Sequence, residues 1–382
     1  LKIGGVIPLT GALSFLSPPE IAGAELAVAD INAAGGVLGK PVEWSAEDSS
    51  DGDHPEVAPA SATKVLSEGA DAVLGAAASG VTRLIIDQIT KNKTVQISMS
   101  NTAPDLSTWK DGGYYFRTAP SDLLQGAIVG NQIVADGNEN VAIIYQQTAY
   151  GEGLEAKAKA VIEGAGAKVV SSLPFPEAET NFDTIVDQTI AAGADSVLVI
   201  SYDEIKKIVP ALQKKKFDGS KIYFVDGNLG NYSKEAWAGY IAGAKGTLPG
   251  GKLDEAFKQR LADIYKKNHN EELKEFSYGA ETYDAVILVA LAAQAAGKAS
   301  GEAIKSELTN VSLAGKGKST VTSFAAGLAA IKAGKKVNFD GFSGPIEFDS
   351  NGDPTGAYIG IYKYDAKGKY NLVRTVAGNT VK

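Results

Sequence analysis

The sequence contains no cysteine and only two histidines among its 382 residues. The lack of cysteine excludes disulfides, thiol catalysis and cysteine-ligated metal. His54 and His269 lie far apart in the chain, and neither belongs to a cluster with metal-ligand spacing. A serine–histidine–acid catalytic triad is not expected, because the sequence contains no Gly-x-Ser-x-Gly nucleophile elbow. We therefore expect no metal, no cofactor and no catalytic centre.

Basic clusters and long apolar runs are also missing. The net charge is −8, and the longest run of basic residues is 214–216, so a nucleic-acid partner is not expected. No apolar run approaches the roughly 18 residues of a membrane helix. The chain begins at Leu1 without a signal sequence, which we interpret as a mature form from which an export signal or lipid-anchor cysteine has been removed.

Strands alternate with helices of similar length along most of the chain, which predicts βαβ units and parallel sheets. A length of 382 residues exceeds what one hydrophobic core usually supports, so two lobes are expected. One series of strands is predicted at 2–8, 42–46, 70–75 and 95–97, and a second at 141–145, 168–170, 196–200 and 221–225. The pattern also predicts helices at 20–33 and 122–135, a strand at 114–118 that leaves the first unit, a strand and turn at the end of 341–349, and a hairpin of 357–364 and 371–376. The hydrophobic pattern thus favours an α/β fold of two Rossmann-like lobes with parallel-sheet cores.

We expect the chain then to cross between these lobes more than once. We assign residues 1–120 and 247–354 to the first lobe, and residues 121–246 and 355–382 to the second. Several crossings make a hinge that suits closure around a ligand. Because ligands bind beyond the carboxyl ends of parallel strands, we expect a binding cleft between the lobes.

The stretch 73–102 is the most informative part of the first lobe. It predicts strand 73–75, helix 81–91 with Leu84, Ile85 and Ile89 on its buried face, and strand 95–97. Ser79 stands where an N-cap belongs, and the free amides and dipole of a helix start attract an anion. The next loop ends at Thr102, which can reach the same point. A small carboxylate or phosphate site is one interpretation, and ordinary capping by Ser79 beside a turn at Asn101 is the other.

Polar residues also follow strands of the second lobe. Asp226 can pair with a cation in the cleft, or it can simply form an Asp-Gly turn. Tyr202 lines the cleft or packs at a lobe edge, and the glycines at 151 and 153 either display Tyr150 or only turn the chain. Hydroxyls and amides on one lobe with a carboxylate on the other would match the two charges of an amino acid.

Two motifs match only in part. Residues 151–156 fit the letters of a dinucleotide fingerprint, but five residues separate the strand from the first glycine, and Glu152 and Glu155 would repel a pyrophosphate. Residues 349–353 resemble a calcium loop, but Pro354 occupies the position that requires glycine. We read both as turns.

Over essentially its full length the chain resembles the leucine/isoleucine/valine-binding proteins, the solute receptors of branched-chain-amino-acid-type ABC importers with the type I periplasmic-binding fold. The segments that carry the resemblance are 3–11 (IGGVIPLTG), 29–39 (ADINAAGGVLG), 79–82 (SGVT), 150–153 (YGEG) and 341–349 (GFSGPIEFD).

The resemblance implies a role for particular residues. Ser79 and Thr102, flanked by the backbone of Ala77 and Ser100, match positions that hold the α-carboxylate of the ligand. Asp226 matches the acidic position that takes the α-ammonium, and Tyr150 and Tyr202 match residues that close over the ligand. The expected binding set also includes Gly80, Asn101 and Phe15.

The function implied by the resemblance is an extracytoplasmic, non-catalytic receptor that passes an amino acid to an ABC permease. We expect a monomer, either periplasmic or a cell-surface lipoprotein. The same fold could instead bind an aromatic or keto acid that lacks an amine, or an amide- or urea-like solute. A sugar-binding effector half of a transcription regulator and an enzyme on this fold are further alternatives, which the sequence disfavours.

Overall fold

A computed structural model of the protein describes residues 1–379; residues 380–382, which the predicted second lobe includes, lie outside the described residues. Two separate β-sheets with flanking helices organise the fold, which confirms the predicted α/β class. No helix of the described chain combines the length and the apolar character that crossing a membrane requires.

The first sheet has five strands, all parallel, in the order β2-β1-β3-β4-β5. Its strands are β1 (Lys2–Ile7), β2 (Glu43–Asp48), β3 (Ala72–Gly75), β4 (Val95–Ser98) and β5 (Tyr115–Arg117). The helices between them are α1 (Ser17–Ala33), α2 (Val57–Ser67) and α3 (Ser79–Lys91). Alternate residues of β3 enter two different cores, Val73 one and Leu74 the other, because helices cover both faces.

The second sheet has seven strands in the order β14-β13-β10-β9-β8-β6-β7. Its strands are β6 (Asn140–Gln146), β7 (Lys168–Phe175), β8 (Ser196–Ile200), β9 (Ile222–Phe224), β10 (Lys245–Pro249), β13 (Gly356–Tyr364) and β14 (Tyr370–Asn379). Its helices are α4 (Asp122–Ala135), α5 (Ala149–Gly164), α6 (Asp183–Ala191) and α7 (Ile205–Lys214). Only β13 and β14 run antiparallel to their neighbours, and they form the predicted hairpin.

The chain between β10 and β13 adds helices and a small parallel pair of strands. These elements are α8 (Glu255–His269), α9 (Gly279–Ala296), α10 (Gly301–Ser312), β11 (Lys318–Val321), α11 (Phe324–Lys332) and β12 (Lys336–Phe339). Helix α9 is buried from Gly279 to Ala293 and packs with α1 in the core of the first sheet. Most residues of α9 are apolar on all sides of the helix, so it has no face for water and lies at the centre of the core.

A buried ion pair fixes the end of β5. Arg117 is fully buried, and its Nε and Nη2 donate to the two carboxylate oxygens of Asp353 at 2.6 and 2.9 Å. The same guanidinium donates to the carbonyl of Ala103 at 2.9 Å and to the hydroxyl of Ser107 at 2.7 Å. Arg117 therefore holds the loop that follows Thr102 in place.

Several sequence predictions are corrected here. Leu84 is 44% exposed, and Ile86 is buried instead, so the inner face of α3 is rotated from the predicted one. Helix α1 begins at Ser17, earlier than the predicted Glu20, because prolines are tolerated in a first turn. Strand β5 does not leave the first sheet but forms its edge.

The predicted strand near residue 348 is only an isolated bridge between Phe348 and Pro354. Strands β10, β11 and β12 had no counterpart in the prediction. Because β10 pairs with β9 and β13, the proposed lobe boundary at 246/247 falls inside a strand of the second sheet. The division into lobes remains a proposal, and we now place this crossing after Pro249.

Candidate functional site

A small cavity lies where the carboxyl ends of the two sheets face each other. Its volume is about 10 Å³, close to the space that one water molecule needs. Residues from loops after β3, β4, β6, β8 and β9 line it, as expected for an α/β fold. The lining residues are Leu13, Leu16, Ala77, Ser79, Ser100, Thr102, Tyr150, Tyr202, Asp226, Gly227 and Tyr278.

Ser79 is not the N-cap of α3, contrary to the sequence prediction. The cap is Ala78, and Ser79 is the first helical residue. The Ser79 Oγ accepts the backbone N–H groups of Thr102 at 3.3 Å and Ala103 at 3.2 Å. A hydroxyl has two acceptor sites and one proton, so these bonds leave Ser79 able to donate. Its proton and the first amides of α3 favour a negatively charged group.

The hydroxyl of Thr102 is already used within the protein. It donates to Asp122 Oδ2 at 2.8 Å, and Asp122 is a fully buried residue at the start of α4. The Gln125 side-chain nitrogen then donates to Asp122 Oδ1 at 2.9 Å and to Asp226 Oδ1 at 2.8 Å. Two buried carboxyl groups are thus linked through one amide, and Thr102 is connected to Asp226 through hydrogen bonds.

Asp226 receives further hydrogen bonds from two tyrosines. Tyr150 donates to its Oδ1 and Tyr278 to its Oδ2, each at 2.6 Å. Burial raises the pKa of Asp226, and burial together with the charge of Asp226 raises the pKa of Asp122 to about 8. Within residues 1–379 no lysine, arginine or histidine forms an ion pair with either carboxyl group (the fourteen pairs observed all lie elsewhere). Negative charge at this end of the cavity therefore lacks a cationic partner.

The remaining wall of the cavity is aromatic and aliphatic. Tyr150 and Tyr202 stack with ring centroids 5.3 Å apart and an interplanar angle of 17°. Leu13 and Leu16 face the cavity from the loop before α1, whereas the predicted Phe15 is only partly buried and does not line it. The aliphatic contribution of that loop thus comes from its leucines.

The other predicted residues have different surroundings. Ala77 and Ser100 line the cavity, and Ser100 donates to Glu20 Oε1 at 2.7 Å. Asn101 is buried behind it, where its amide nitrogen donates to the Ala76 carbonyl at 3.2 Å and to Thr82 Oγ1 at 2.7 Å. Asn101 therefore supports the loop and does not line the cavity.

Gly80 also lies outside the cavity lining, although it follows Ser79 directly. Seven of the ten predicted residues are therefore brought together around the cavity, and Gly80, Asn101 and Phe15 are not.

Sequence reasoning missed Tyr278, Asp122 and Gln125. Asp122 and Gln125 read as ordinary residues of the first turn of a helix, three positions apart, and their burial is visible only in the fold. Tyr278 precedes α9 with a left-handed backbone (φ 62°), which no sequence pattern indicates. Among the described residues no cluster of three or more His, Asp or Glu side chains could hold a metal ion.

Acidic groups buried in the fold make stability depend on pH. Burial is the main cause that raises the pKa of Glu20, Glu281 and Asp122 to about 8 and that of Asp284 to about 7. The native state then holds protons that the unfolded chain releases above about pH 4.5, so the stability that these four groups contribute is present in full below that pH and is lost as pH rises toward 8. We expect the free energy of unfolding to drop by roughly 3 kcal/mol or more between pH 5 and 8.5 in urea titrations.

Glu20→Gln provides a test of that pH dependence. Its Oε2 is buried without a hydrogen-bond partner among the described residues, and the neutral amide should flatten the pH profile. Glu302→Gln, at an exposed ion pair with Lys93, is the control and should leave the slope unchanged. Stability that rises between pH 5 and 8.5 would contradict the prediction.

Comparison with known proteins shows which family the chain resembles. The sequence profile of the periplasmic binding proteins matches residues 1–369. The leucine-, isoleucine-, valine-, threonine- and alanine-binding protein of Pseudomonas aeruginosa is 28% identical over 313 residues, which cover 81% of this chain and 82% of that protein.

Two solved structures share the fold at low sequence identity. One is the substrate-binding protein LivJ from Streptococcus pneumoniae in complex with isoleucine, with a TM-score of 0.78, 24% identity and 99% of each chain covered. The other is a solute-binding protein from R. palustris in complex with benzoate, with a TM-score of 0.76, 18% identity and coverage of 100% of this chain and 98% of that one. The predicted family and its two-sheet fold are thereby confirmed, and the chain belongs to the periplasmic binding protein family.

Proposed function

We propose that this protein is the solute receptor of an ABC importer and that its solute is an amino acid. The observation that carries the proposal is the charge arrangement of one cavity. A hydroxyl that is free to donate lies at a helix start on one side, and two carboxyl groups without a cationic partner lie on the other. An α-amino acid supplies the two complementary charges.

The carboxylate of the solute would bind at Ser79. The amides of Thr102 and Ala103 fill both acceptor sites of the Ser79 hydroxyl. Its proton therefore remains available to donate to a ligand. The amides at the start of α3 add donors and the positive end of a helix dipole. Thr102 lies beside this carboxylate site but does not donate its hydroxyl proton to the solute, because that proton is already donated to Asp122.

The ammonium group of the solute would bind at Asp226. A buried carboxylate is costly unless a charge or several hydrogen bonds compensate it. Asp226 has bonds from Gln125, Tyr150 and Tyr278, and the Gln125 amide also links it to Asp122, whose pKa of about 8 leaves it mainly protonated at neutral pH. A cation placed here compensates the charge of Asp226, whereas an aromatic or keto acid without an amine leaves that charge without a counter-charge. This is the reason for preferring an amino acid over the alternative solutes.

The side chain of the solute would face an apolar wall. Leu13 and Leu16 on the first-sheet side and the stacked Tyr150 and Tyr202 on the other form that wall. The names of relatives agree with a small amino acid, since the Pseudomonas aeruginosa protein is named for leucine, isoleucine, valine, threonine and alanine.

Closure around the solute follows from the size of the cavity. A space of about 10 Å³ cannot admit an amino acid while Tyr150, Tyr202 and Tyr278 hold their positions. Its walls come from loops of both sheets, so we infer that the lobes separate for entry and close to strip water from the charges. Binding without turnover is the chemistry that these residues support.

We further propose an extracytoplasmic location, either free in a periplasm or held at the cell surface by a lipid anchor. A monomer that presents both lobes to a permease fits the role. The family match supports this setting, because periplasmic binding proteins are named for it.

A thermal-shift screen of amino acids beside organic acids tests the proposal. A ligand at 100 times its dissociation constant adds about 2.7 kcal/mol to the free energy of unfolding. With roughly 2.1 cal/mol/K per residue over the whole chain, this is about 3 °C in Tm. We expect shifts with aliphatic amino acids and none with their keto-acid counterparts. The reverse ranking would overturn the amino-acid assignment.

A further inference from the structure

A second and much larger cavity lies beside the solute cavity. Its volume is about 620 Å³, within the range of roughly 300–1,000 Å³ that is usual for small-molecule sites. Its walls are the crossing after β10, the segment leading into α9, and the β13–β14 hairpin. Tyr278 contributes to both cavities, so they share one wall. We call it the hinge cavity.

Four lysines from separate segments line the hinge cavity. Lys258 is paired with Glu255 at 2.9 Å, but within residues 1–379 the amino groups of Lys252, Lys274 and Lys369 have neither a hydrogen bond nor an ion pair. Such convergence is unexpected in a chain whose net charge is −8. The rim of the hinge cavity is therefore suited to an anion.

The lining also contains two acidic residues, fewer than its four lysines. Glu275 accepts the hydroxyl of Tyr370 at 2.7 Å and the amide of Asn231 at 3.1 Å. Glu281 is buried, and burial raises its pKa to about 8, so it is mainly protonated at neutral pH. A protonated Glu281 can donate a hydrogen bond to an anion and does not repel it.

A buried hydroxyl in the lining has spare hydrogen-bonding capacity. Ser277 is only 6% exposed, and its Oγ lies beside the hydroxyl of Tyr370, which itself donates to Glu275. A serine hydroxyl has one proton and two acceptor sites, so this contact leaves Ser277 able to bond to a further group. Because Ser277 lines the hinge cavity, a ligand there could use that capacity.

The rest of the lining is apolar or aromatic. Leu248, Phe276, Tyr362 and Leu372 form this part together with Tyr278. Small-molecule sites usually combine such a surface with a few polar groups that fix orientation. We propose that the hinge cavity binds a small organic anion with an apolar body, such as an aromatic carboxylate or sulfonate, at a site separate from the solute cavity.

The fluorescent aromatic sulfonate 8-anilinonaphthalene-1-sulfonate serves as the probe on the full chain. We expect saturable binding of one molecule, and Lys252→Glu, Lys274→Glu and Lys369→Glu together should raise its Kd at least about tenfold, since three attractive charges become repulsive. The matched control combines Lys40→Glu, Lys110→Glu and Lys332→Glu, three exposed lysines outside the cavity. It should change Kd by no more than about twofold.

Ser277→Ala separates a site from a merely basic surface. Removing this hydroxyl should leave the fold intact, yet it should weaken probe binding about threefold or more because a bond to the sulfonate is lost. Ser196→Ala removes a buried hydroxyl that has no hydrogen-bond partner among residues 1–379, in β8 away from the cavity, and should leave Kd unchanged. The proposal is overturned if the triple lysine variant binds within about twofold of the wild type, or if Ser277→Ala and Ser196→Ala behave alike.

Discussion

Asp226→Ala is expected to weaken binding of the best amino acid by at least about thirtyfold, equivalent to roughly 2 kcal/mol or more. The change removes the acceptor for the solute ammonium and for the hydroxyls of Tyr150 and Tyr278. An ammonium enclosed without its counter-charge loses its water and gains nothing in return. Isothermal titration calorimetry at pH 7.5, with the amino acid that gives the largest thermal shift, measures the loss.

Asp284→Asn is the matched control for this experiment. Asp284 is also a fully buried carboxyl group, held by the amides of Phe342 and Ser343, but it lies outside the cavity. It should alter stability while Kd stays within about twofold of the wild type. If Asp226→Ala keeps the affinity of the wild type, the proposed ammonium site is wrong, even though the receptor function could still stand on another site.

Asp353→Ala should lower the free energy of unfolding by about 3–5 kcal/mol. Arg117 would remain fully buried with a positive charge and no carboxylate, and its bonds to Ala103 and Ser107 cannot replace the ion pair. The loss should appear in urea denaturation as a lower transition midpoint with a similar slope.

A double variant and an exposed pair serve as controls. Arg117→Met combined with Asp353→Leu removes both charges, so it should be much less destabilising than Asp353→Ala alone. Lys91→Ala breaks the exposed pair with Asp87 and should cost at most about 1 kcal/mol. Equal losses for Asp353→Ala and Lys91→Ala would show that the buried pair stabilises the fold no more than an exposed one.

The sequence predicted the sheets well because their strands are short apolar runs separated by amphipathic helices. Helix α4 and the β13–β14 hairpin follow the predicted positions closely. The hydrophobic pattern gave a wrong prediction of buried residues where burial depends on residues far away in the sequence. Leu84 and Ile86 are equally apolar, and only the neighbours Ala103, Leu106 and Tyr115 decide that Ile86 is the buried one.

The residues of the candidate site likewise fall into those that the local sequence indicates and those that it does not. Ser79, Thr102 and Asp226 were recognisable because they follow strands, where ligands bind in α/β folds. The acceptor of the Thr102 hydroxyl was not, because Asp122 comes from a helix after the next strand. Hydrogen bonds between distant segments leave no local pattern in the residues that form them. Strand β10 was not predicted for a similar reason, since it pairs with β13 more than a hundred residues later.

The position of Leu13 and Leu16 has a consequence for how such a receptor can diverge. Both lie in one short loop before α1, whereas the linked polar groups from Thr102 to Asp226 come from three other segments. Substitutions in that loop can enlarge or narrow the space for a side chain without disturbing any charge. Substitutions at these two positions could therefore change which side chains the protein accepts, while the α-carboxylate and α-ammonium groups of the solute are bound as before.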